Sequence, residues 1–366
     1  MIPPGGRPLH EEDRRQRRSV APVIHLPGGG AAATVSPFQP LFSTPRADRP
    51  MKRISVAIAG VRIDLVAQGE AAEHLLDEIE PLWSGFLVAP GRTAAVECRV
   101  HYDCGRIYQR RFGSESIIID RNSSPWAEAL GDRMGLIFPG RMDAATAVIG
   151  FLNGCLIFDG RTNRGAIYIF YTKTALHVPA TLWKLSFVFV CLTMAGMNRL
   201  LVHGAGIKRR RGGGGYLFLG KSGAGKSTIA ALSPGEVTLS DDAPAIEAGE
   251  GGFRIHATPF TQTSIARYRP KRWRLQQEGL RKLLFLHHAA LTRIEPRERH
   301  FACMELLTCH VHCYGLMEAG LKRRAFDLCH RICKAVPAAD LHFRKDSGFW
   351  ELVTAEQNLS PSCPSP

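Results

Sequence analysis

Residues Gly220 to Ser227 read Gly-Lys-Ser-Gly-Ala-Gly-Lys-Ser, a complete G-x-x-x-x-G-K-S run. An apolar stretch, Tyr216 to Leu219, precedes it, and a helix-like stretch, Thr228 to Leu232, follows. This order of strand, glycine-rich turn and helix is the setting in which such a run cradles phosphate. Glycines let successive main-chain N–H groups turn inward around an anion, and the helix directs its positive end to the same place. Lys226 is then expected to reach the outer phosphates. The Ser227 hydroxyl is expected to hold Mg²⁺. Gly220, Lys221, Ser222, Gly223, Ala224, Gly225 and Thr228 complete the expected nucleotide-binding set.

A second group of residues could act on what the loop holds. Asp241 and Asp242 end the strand-like run Val237 to Ser240. Carboxylates at the carboxyl end of a neighbouring strand face the same crevice as a phosphate loop. One of them can bind Mg²⁺, and the other can take a proton from an incoming hydroxyl. Adjacent strand residues point to opposite faces, so both serve one site only if the strand has ended or bulged there. His203, in Val202-His203-Gly204, lies on the strand before the loop strand and is a further candidate. No Asn-Lys-x-Asp run for reading guanine is present. Leu232-Ser233-Pro234-Gly235-Glu236 stands too close to the loop to be a transporter-ATPase signature.

In this order, His203-Gly204, the loop 220–227 and Ser240-Asp241-Asp242 resemble the motif set of the HPr kinase/phosphorylase family and its kinase relatives. Ala257-Thr258-Pro259-Phe260 and the closing segment from Val336 to Trp350 resemble the relatives found beside genes for modified peptides, lasso-peptide tailoring kinases among them. The resemblance covers roughly residues 182–354. It implies the nucleotide fold shared with phosphoenolpyruvate carboxykinases and an ATP- and Mg-dependent transfer to a serine hydroxyl of a peptide or protein. It also implies that Lys226, Asp241, Asp242 and His203 are catalytic, with Ser227 and Asp242 as metal ligands. Thr228 stands where the bifunctional members carry Glu, and their C-terminal phosphorylase signature has no counterpart here. Phosphorylase activity is therefore not expected. Two other readings stay open: a nucleotide-regulated binding module, and a nucleic-acid-linked ATPase suggested by charge alone.

The elements that would position these residues can be sketched from periodicity. Residues 1–50 are rich in Pro, Gly and Arg without period, as in a disordered tail. Translation from Met51 is the alternative. Strand-like runs at Ile54–Ile58, Val61–Val66, Ala95–Tyr102, Ile117–Asp120 and Ala166–Tyr171, with a helix-like Glu70–Trp83, suggest a small α/β domain over 51–180. A nucleotide domain is expected over 181–355: the apolar helix Leu182–Met197, a strand Leu200–Ile207, the loop strand, and strands at Glu236–Ser240, Ala243–Glu247 and Gly252–His256. Helical pattern then runs from Cys303 to Lys334, and a last strand covers Asp340–Arg344. Residues 356–366 read as a second disordered tail. The fold class is thus α/β, a mixed sheet with flanking helices behind a small α/β domain.

Composition narrows the setting. The 366-residue chain carries a formal charge of +14, which suits phosphates or acidic peptides better than a neutral partner. Ten cysteines without dense, regular spacing suggest a reducing, cytoplasmic setting. The most apolar stretch, Leu185 to Met197, falls short of the about 20 residues that span a bilayer, so a membrane is not an expected partner. Nucleic acid is not expected either. Cys309-His310-Val311-His312-Cys313 and Cys329-His330-Arg331-Ile332-Cys333 each place two thiols at i,i+4, a spacing open to zinc binding or to plain core filling. Arg267 to Arg274 is strongly basic with interleaved aromatics, open to clamping ATP phosphates, receiving an acidic peptide, touching nucleic acid or standing as a solvated loop. Among the functional readings its position favours a lid over the acceptor. If it is a lid, Arg269→Ala with Arg272→Ala raises KM for the acceptor more than KM for the nucleotide. Equal losses on both would contradict it.

Overall fold

The computed structural model describes residues 51–90, 96–103, 137–141, 144–151, 154–170, 178–210, 212–261 and 275–355. The tails 1–50 and 356–366, the run Ile117–Asp120 and the basic segment Arg267–Arg274 lie outside the described residues. The protein is of mixed α/β class, with two mixed sheets and flanking helices.

The first sheet has seven strands. β1 (Arg53–Ile58) and β2 (Val61–Gln68) form a hairpin, and α1 (Glu70–Ile79) carries the chain across to β3 (Val96–Asp103), parallel to β2. β4 (Ile137–Arg141), β5 (Thr146–Phe151), β6 (Gly154–Asp159) and β7 (Arg164–Phe170) form an antiparallel meander, and β7 lies parallel to β3. The helix α1 buries Ala72, Leu75, Leu76 and Ile79, the i, i+3, i+4, i+7 stripe of an amphipathic helix. All six residues of β6 are buried, as in a strand covered on both faces. No strand was expected from sequence at 146–159.

Next comes α2 (Val178–Gly196), apolar on every side. It begins four residues before the expected start and reaches 19 residues, long and apolar enough by length and composition to cross a bilayer. In this fold 72 % of its most apolar window is buried inside the protein. It packs on β6 and β7, on α1, and on the first strand of the second sheet. A helix that is hydrophobic all round needs such a cover on all sides.

The second sheet begins with β8 (Arg199–Leu201) and β9 (Gly204–Lys208), where sequence alone suggests one continuous strand. The chain bends at His203, and the two pieces sit on different parts of the sheet. β10 (Gly215–Leu219) is followed by the glycine-rich loop and the short helix α3 (Lys226–Ala231). β11 (Val237–Ser240), β12 (Ala245–Gly249) and β13 (Gly252–His256) match expectation to within two residues. The spine, β14 (Gln277–His288), was not expected from sequence. Its first residues pair antiparallel with β13, and its last six pair parallel with β16 (Ala338–Phe343). Its other edge holds β10 in parallel. β15 (Arg293–Pro296) closes against β16.

Helical pattern from 303 to 334 divides into α4 (Arg299–Glu305), a π-turn (Leu306–His310), a 3₁₀ turn (Tyr314–Leu316) and α5 (Ala319–Ala335). The helix α6 (Phe349–Ala355) ends the described chain.

An aromatic cluster joins the two sheets. The Trp83 ring lies 5.0 Å from Trp183 and 5.7 Å from Phe260, and Phe187 lies 4.7 Å from Phe260. Trp83 follows α1, Trp183 and Phe187 belong to α2, and Phe260 follows β13. Trp83 is fully buried. Trp83→Ala is expected to cost about 3–5 kcal/mol in urea unfolding, the usual range for emptying a large aromatic site. A loss under about 1 kcal/mol would show that this cluster does not hold the sheets together.

Candidate active site

Strands β10, β11, β14 and β16 run in one direction, and their carboxyl ends meet at one edge of the sheet. The loop 220–225 leaves β10 there, Asp241-Asp242 leave β11, His287-His288 end β14, and Arg344-Lys345 follow β16. β9 runs the other way, so its start, beside His203, comes to the same edge. Parallel strands that end together leave a crevice beyond their carboxyl ends, and this is where ligands enter such sheets.

The loop wraps around its own lysine. The Lys226 ammonium donates to the main-chain oxygens of Gly220 at 2.8 Å and Lys221 at 3.0 Å, and the residue is 8 % exposed. Burial lowers the Lys226 pKa, opposed by the nearby Asp242 carboxylate. Gly225 has φ +103°, a left-handed value. A Cβ there would stand 2.6 Å from the Phe343 ring and 3.4 Å from His288. Gly223 is also left-handed, but a Cβ there would meet nothing within 4 Å. His288 Nε2 donates to the Gly223 oxygen at 2.9 Å and fixes that turn. An open pocket of about 520 Å³, lined by His288, Ala289, Phe343, Arg344 and Lys345, adjoins the loop through His288 and Phe343, with the Arg344 guanidinium paired to Asp346.

Ser240 ends β11 and fixes the turn that carries the two acids. Its hydroxyl donates to the Phe260 oxygen at 2.5 Å and accepts from the main-chain N–H groups of Asp242 at 3.2 Å and Ala243 at 2.9 Å. Asp241 is 2 % exposed, and its carboxylate accepts from the Thr261 hydroxyl. Thr258 donates to the Ala243 oxygen at 2.8 Å. Residues 258–261 thus clamp the acidic turn. Asp242 instead turns into the crevice, its side chain 41 % exposed, with Oδ1 3.2 Å from His203 Nδ1. That hydrogen bond is the main cause of a lowered Asp242 pKa, reinforced by His312 and Lys226.

A third segment reaches this point that sequence did not connect to it. Val202 bridges Val311 antiparallel. The His203 N–H donates to the His310 oxygen at 2.6 Å, and the His312 N–H donates to the Leu201 oxygen at 3.0 Å. The ring of His310, almost fully buried, donates through Nδ1 to the His203 oxygen at 3.1 Å. His312 lies with its ring 5.4 Å from that of His203 and donates through Nε2 to the main-chain oxygen of Asp242 at 3.3 Å. Burial pushes the His312 pKa down to about 4, so its ring is neutral near pH 7. The Cys309-to-Cys313 motif signals this strand-like contact, not a helix face carrying two thiols. The chain leaves the π-turn after His310, and Cys313 adopts φ +59°.

The remaining thiols face other neighbours. Cys309 is exposed beside Thr308, and Cys313 approaches Cys191 of α2. Cys329 and Cys333 are buried on α5 near Cys303, where burial raises both thiols, Cys333 to about 12. Protonated buried thiols are core fillers. No protein family and no curated protein matches the chain.

The two left-handed glycines give a direct test. Gly225→Ala combines backbone strain with a contact against buried Phe343, at a cost of about 2–4 kcal/mol in urea unfolding. Gly223→Ala meets open space and costs about 1–2 kcal/mol from backbone strain alone. Equal costs would contradict this packing of the loop against Phe343.

Proposed function

We propose that the protein is an ATP- and Mg-dependent kinase that transfers the γ-phosphate to a serine hydroxyl of a peptide or protein, without phosphorylase activity. Lys226 carries the reading: a lysine held inside a left-handed glycine turn, electrostatically linked to a crevice carboxylate. The ordered resemblance of His203, the loop 220–227 and Ser240-Asp241-Asp242 to HPr kinase-like sequences supports it, including the phosphate-loop fold. A nucleotide-regulated binding module is less favoured, because it leaves the Asp242–His203 contact without a task.

Of the two expected metal ligands, the Ser227 hydroxyl is an oxygen donor of the type Mg²⁺ takes, with water and the phosphates to complete its oxygen set. Asp242, expected as the second ligand, is assigned to proton acceptance instead, because Asp241 is buried against Thr261. Bound Mg²⁺ supplies charge neutralisation on the phosphates. The loop amides and Lys226 orient the triphosphate tail. Asp242, held ionised by His203, accepts the acceptor's proton as the serine oxygen bonds to the γ-phosphorus and the β–γ bridging bond breaks. Asp241 fixes the turn that aims Asp242, through Thr261. Positioning and charge carry the rate, as they do for phosphoryl transfer generally.

Radiolabelled phosphate transfer to a serine-bearing peptide tests this assignment. Lys226→Ala is expected to abolish transfer with the fold intact, and Asp242→Asn to lower it by about 10²–10⁴. Asp241→Asn should act chiefly through stability, and Thr261→Val should mimic it. Undiminished transfer in Asp242→Asn would refute the assignment of the proton acceptor.

A further inference from the structure

The carboxylate just assigned to proton acceptance is also one corner of a three-residue cluster that nucleotide chemistry does not require. Among the described residues, His203, Asp242 and His312 are the one group of three metal-ligating side chains whose ligand atoms all lie within 4.8 Å of one another. All three are half-buried. We infer that His203, Asp242 and His312 form a binding site for a divalent transition metal of the zinc class, and that an ion there blocks the kinase site.

The geometry is close to what such an ion needs. Ligand atoms about 2.1 Å from a tetrahedral ion lie about 3.4 Å apart. His203 Nδ1 and Asp242 Oδ1 already stand at 3.2 Å. The widest separation therefore has to contract by no more than about 1.4 Å, within reach of a ring rotation. Two imidazoles and one carboxylate suit zinc, cobalt or iron and suit magnesium poorly, since Mg²⁺ takes oxygen ligands and gives up its waters reluctantly. Three protein ligands leave a coordination position open, as in catalytic and inhibitory sites, not closed structural ones.

Independent of the side chains, the main chain locks the three ligand-bearing segments to one another. The Gly204 N–H donates to the Asp242 oxygen at 3.1 Å, the Val202 N–H to the Pro244 oxygen at 3.0 Å, and the His312 N–H to the Leu201 oxygen at 3.0 Å. The His203 N–H and oxygen are both engaged by His310. A site whose ligands stand on mutually bonded segments binds without ordering them first. The buried ring of His310 and the Phe187 ring, 5.1 Å from His312, wall the cluster on two sides. Lys226 faces Asp242 and Lys184 faces His312. The Lys226 ammonium is taken up by the Gly220 and Lys221 oxygens, and that of Lys184 lies 5.4 Å from the centre of the Phe187 ring.

Metal binding stands apart from the kinase reading, whereas the inhibition rests on it, because the ion would occupy the Asp242 carboxylate. The test uses tag-free, full-length protein stripped with EDTA and titrated with Co²⁺, followed by its visible d–d absorption. One equivalent of Co²⁺ is expected to bind, and Zn²⁺ to displace it. His312→Gln and His203→Gln should each weaken uptake more than about a hundredfold, beyond the effect of a mere outer-shell partner. Lys226→Ala should keep it. Melting temperatures taken with and without Zn²⁺ show whether each variant is folded, and Zn²⁺ should raise that of wild type but not that of His312→Gln. In Mg–ATP phosphotransfer, saturating Zn²⁺ should slow wild type by at least about a hundredfold and leave His312→Gln unaffected. No cobalt uptake by folded wild type, or uptake unchanged in His312→Gln, overturns the site. Cobalt uptake as expected without phosphotransfer in any condition would keep the metal site and remove the kinase reading.

Discussion

The crevice depends on a short main-chain ladder between residues 201–203 and 310–312, sequence neighbours of neither the loop nor the acids. Where β8 gives way to β9 the chain must change its place in the sheet, and the bend at His203 leaves peptide groups without strand partners. Buried peptide groups need partners, and the segment after the π-turn provides them. The His203 N–H bonds to the His310 oxygen, and the His310 ring returns a bond to the His203 oxygen. With the backbone so fixed, the His203 ring stands against Asp242, and that contact keeps the acid ionised. Without the ladder, the histidine that orients the acid would have no fixed position.

Hydrophobic burial supports this polar arrangement from behind. The helix α2 contributes Trp183 and Phe187 to a cluster that also holds Trp83 and Phe260. Phe260 belongs to the segment 258–261 whose hydroxyl and carbonyl groups clamp Ser240, Ala243 and Asp241. The same cluster that joins the two sheets therefore seats the acidic turn. Phe187 extends it to His312. Packing and site geometry are parts of one structure, so loss of the cluster would be felt in the crevice.

What could be read from sequence divides along the range of the interactions. The strand, glycine turn and helix of 216–231 were legible because Gly223, Gly225 and Lys226 act within a few residues of one another. The end of β11 at Asp241-Asp242 was legible for the same reason. The separate fates of the two acids were not, because they hinge on Thr261, twenty residues on. The spine β14 was not legible because Glu278, Arg281 and Lys282 leave only the short apolar run Leu283 to Leu286, and its length comes from pairing three different strands. The break at His203 was hidden because Leu200-Leu201-Val202 before it and Gly204 to Ile207 after it read together as one strand. His312 carried a signal, two histidines between two cysteines, that pointed to a helix face. Its true meaning, an extended contact with Val202, exists only in the folded chain. The α/β class and both sheets' early strands followed from strand-like apolar runs, whereas β5 and β6 did not stand out, although Asn153-Gly154 between them is a pair of hairpin-turn type.

The central claim is that the loop around Lys226 holds a nucleoside triphosphate beside Asp242. Titration calorimetry of the full chain with ATP in the presence of Mg²⁺ addresses it without needing the acceptor. Saturable one-to-one binding is expected, lost in Lys226→Ala at unchanged melting temperature. Folded wild-type protein that takes up no nucleotide, or a Lys226→Ala protein that binds it as well as wild type, would contradict it.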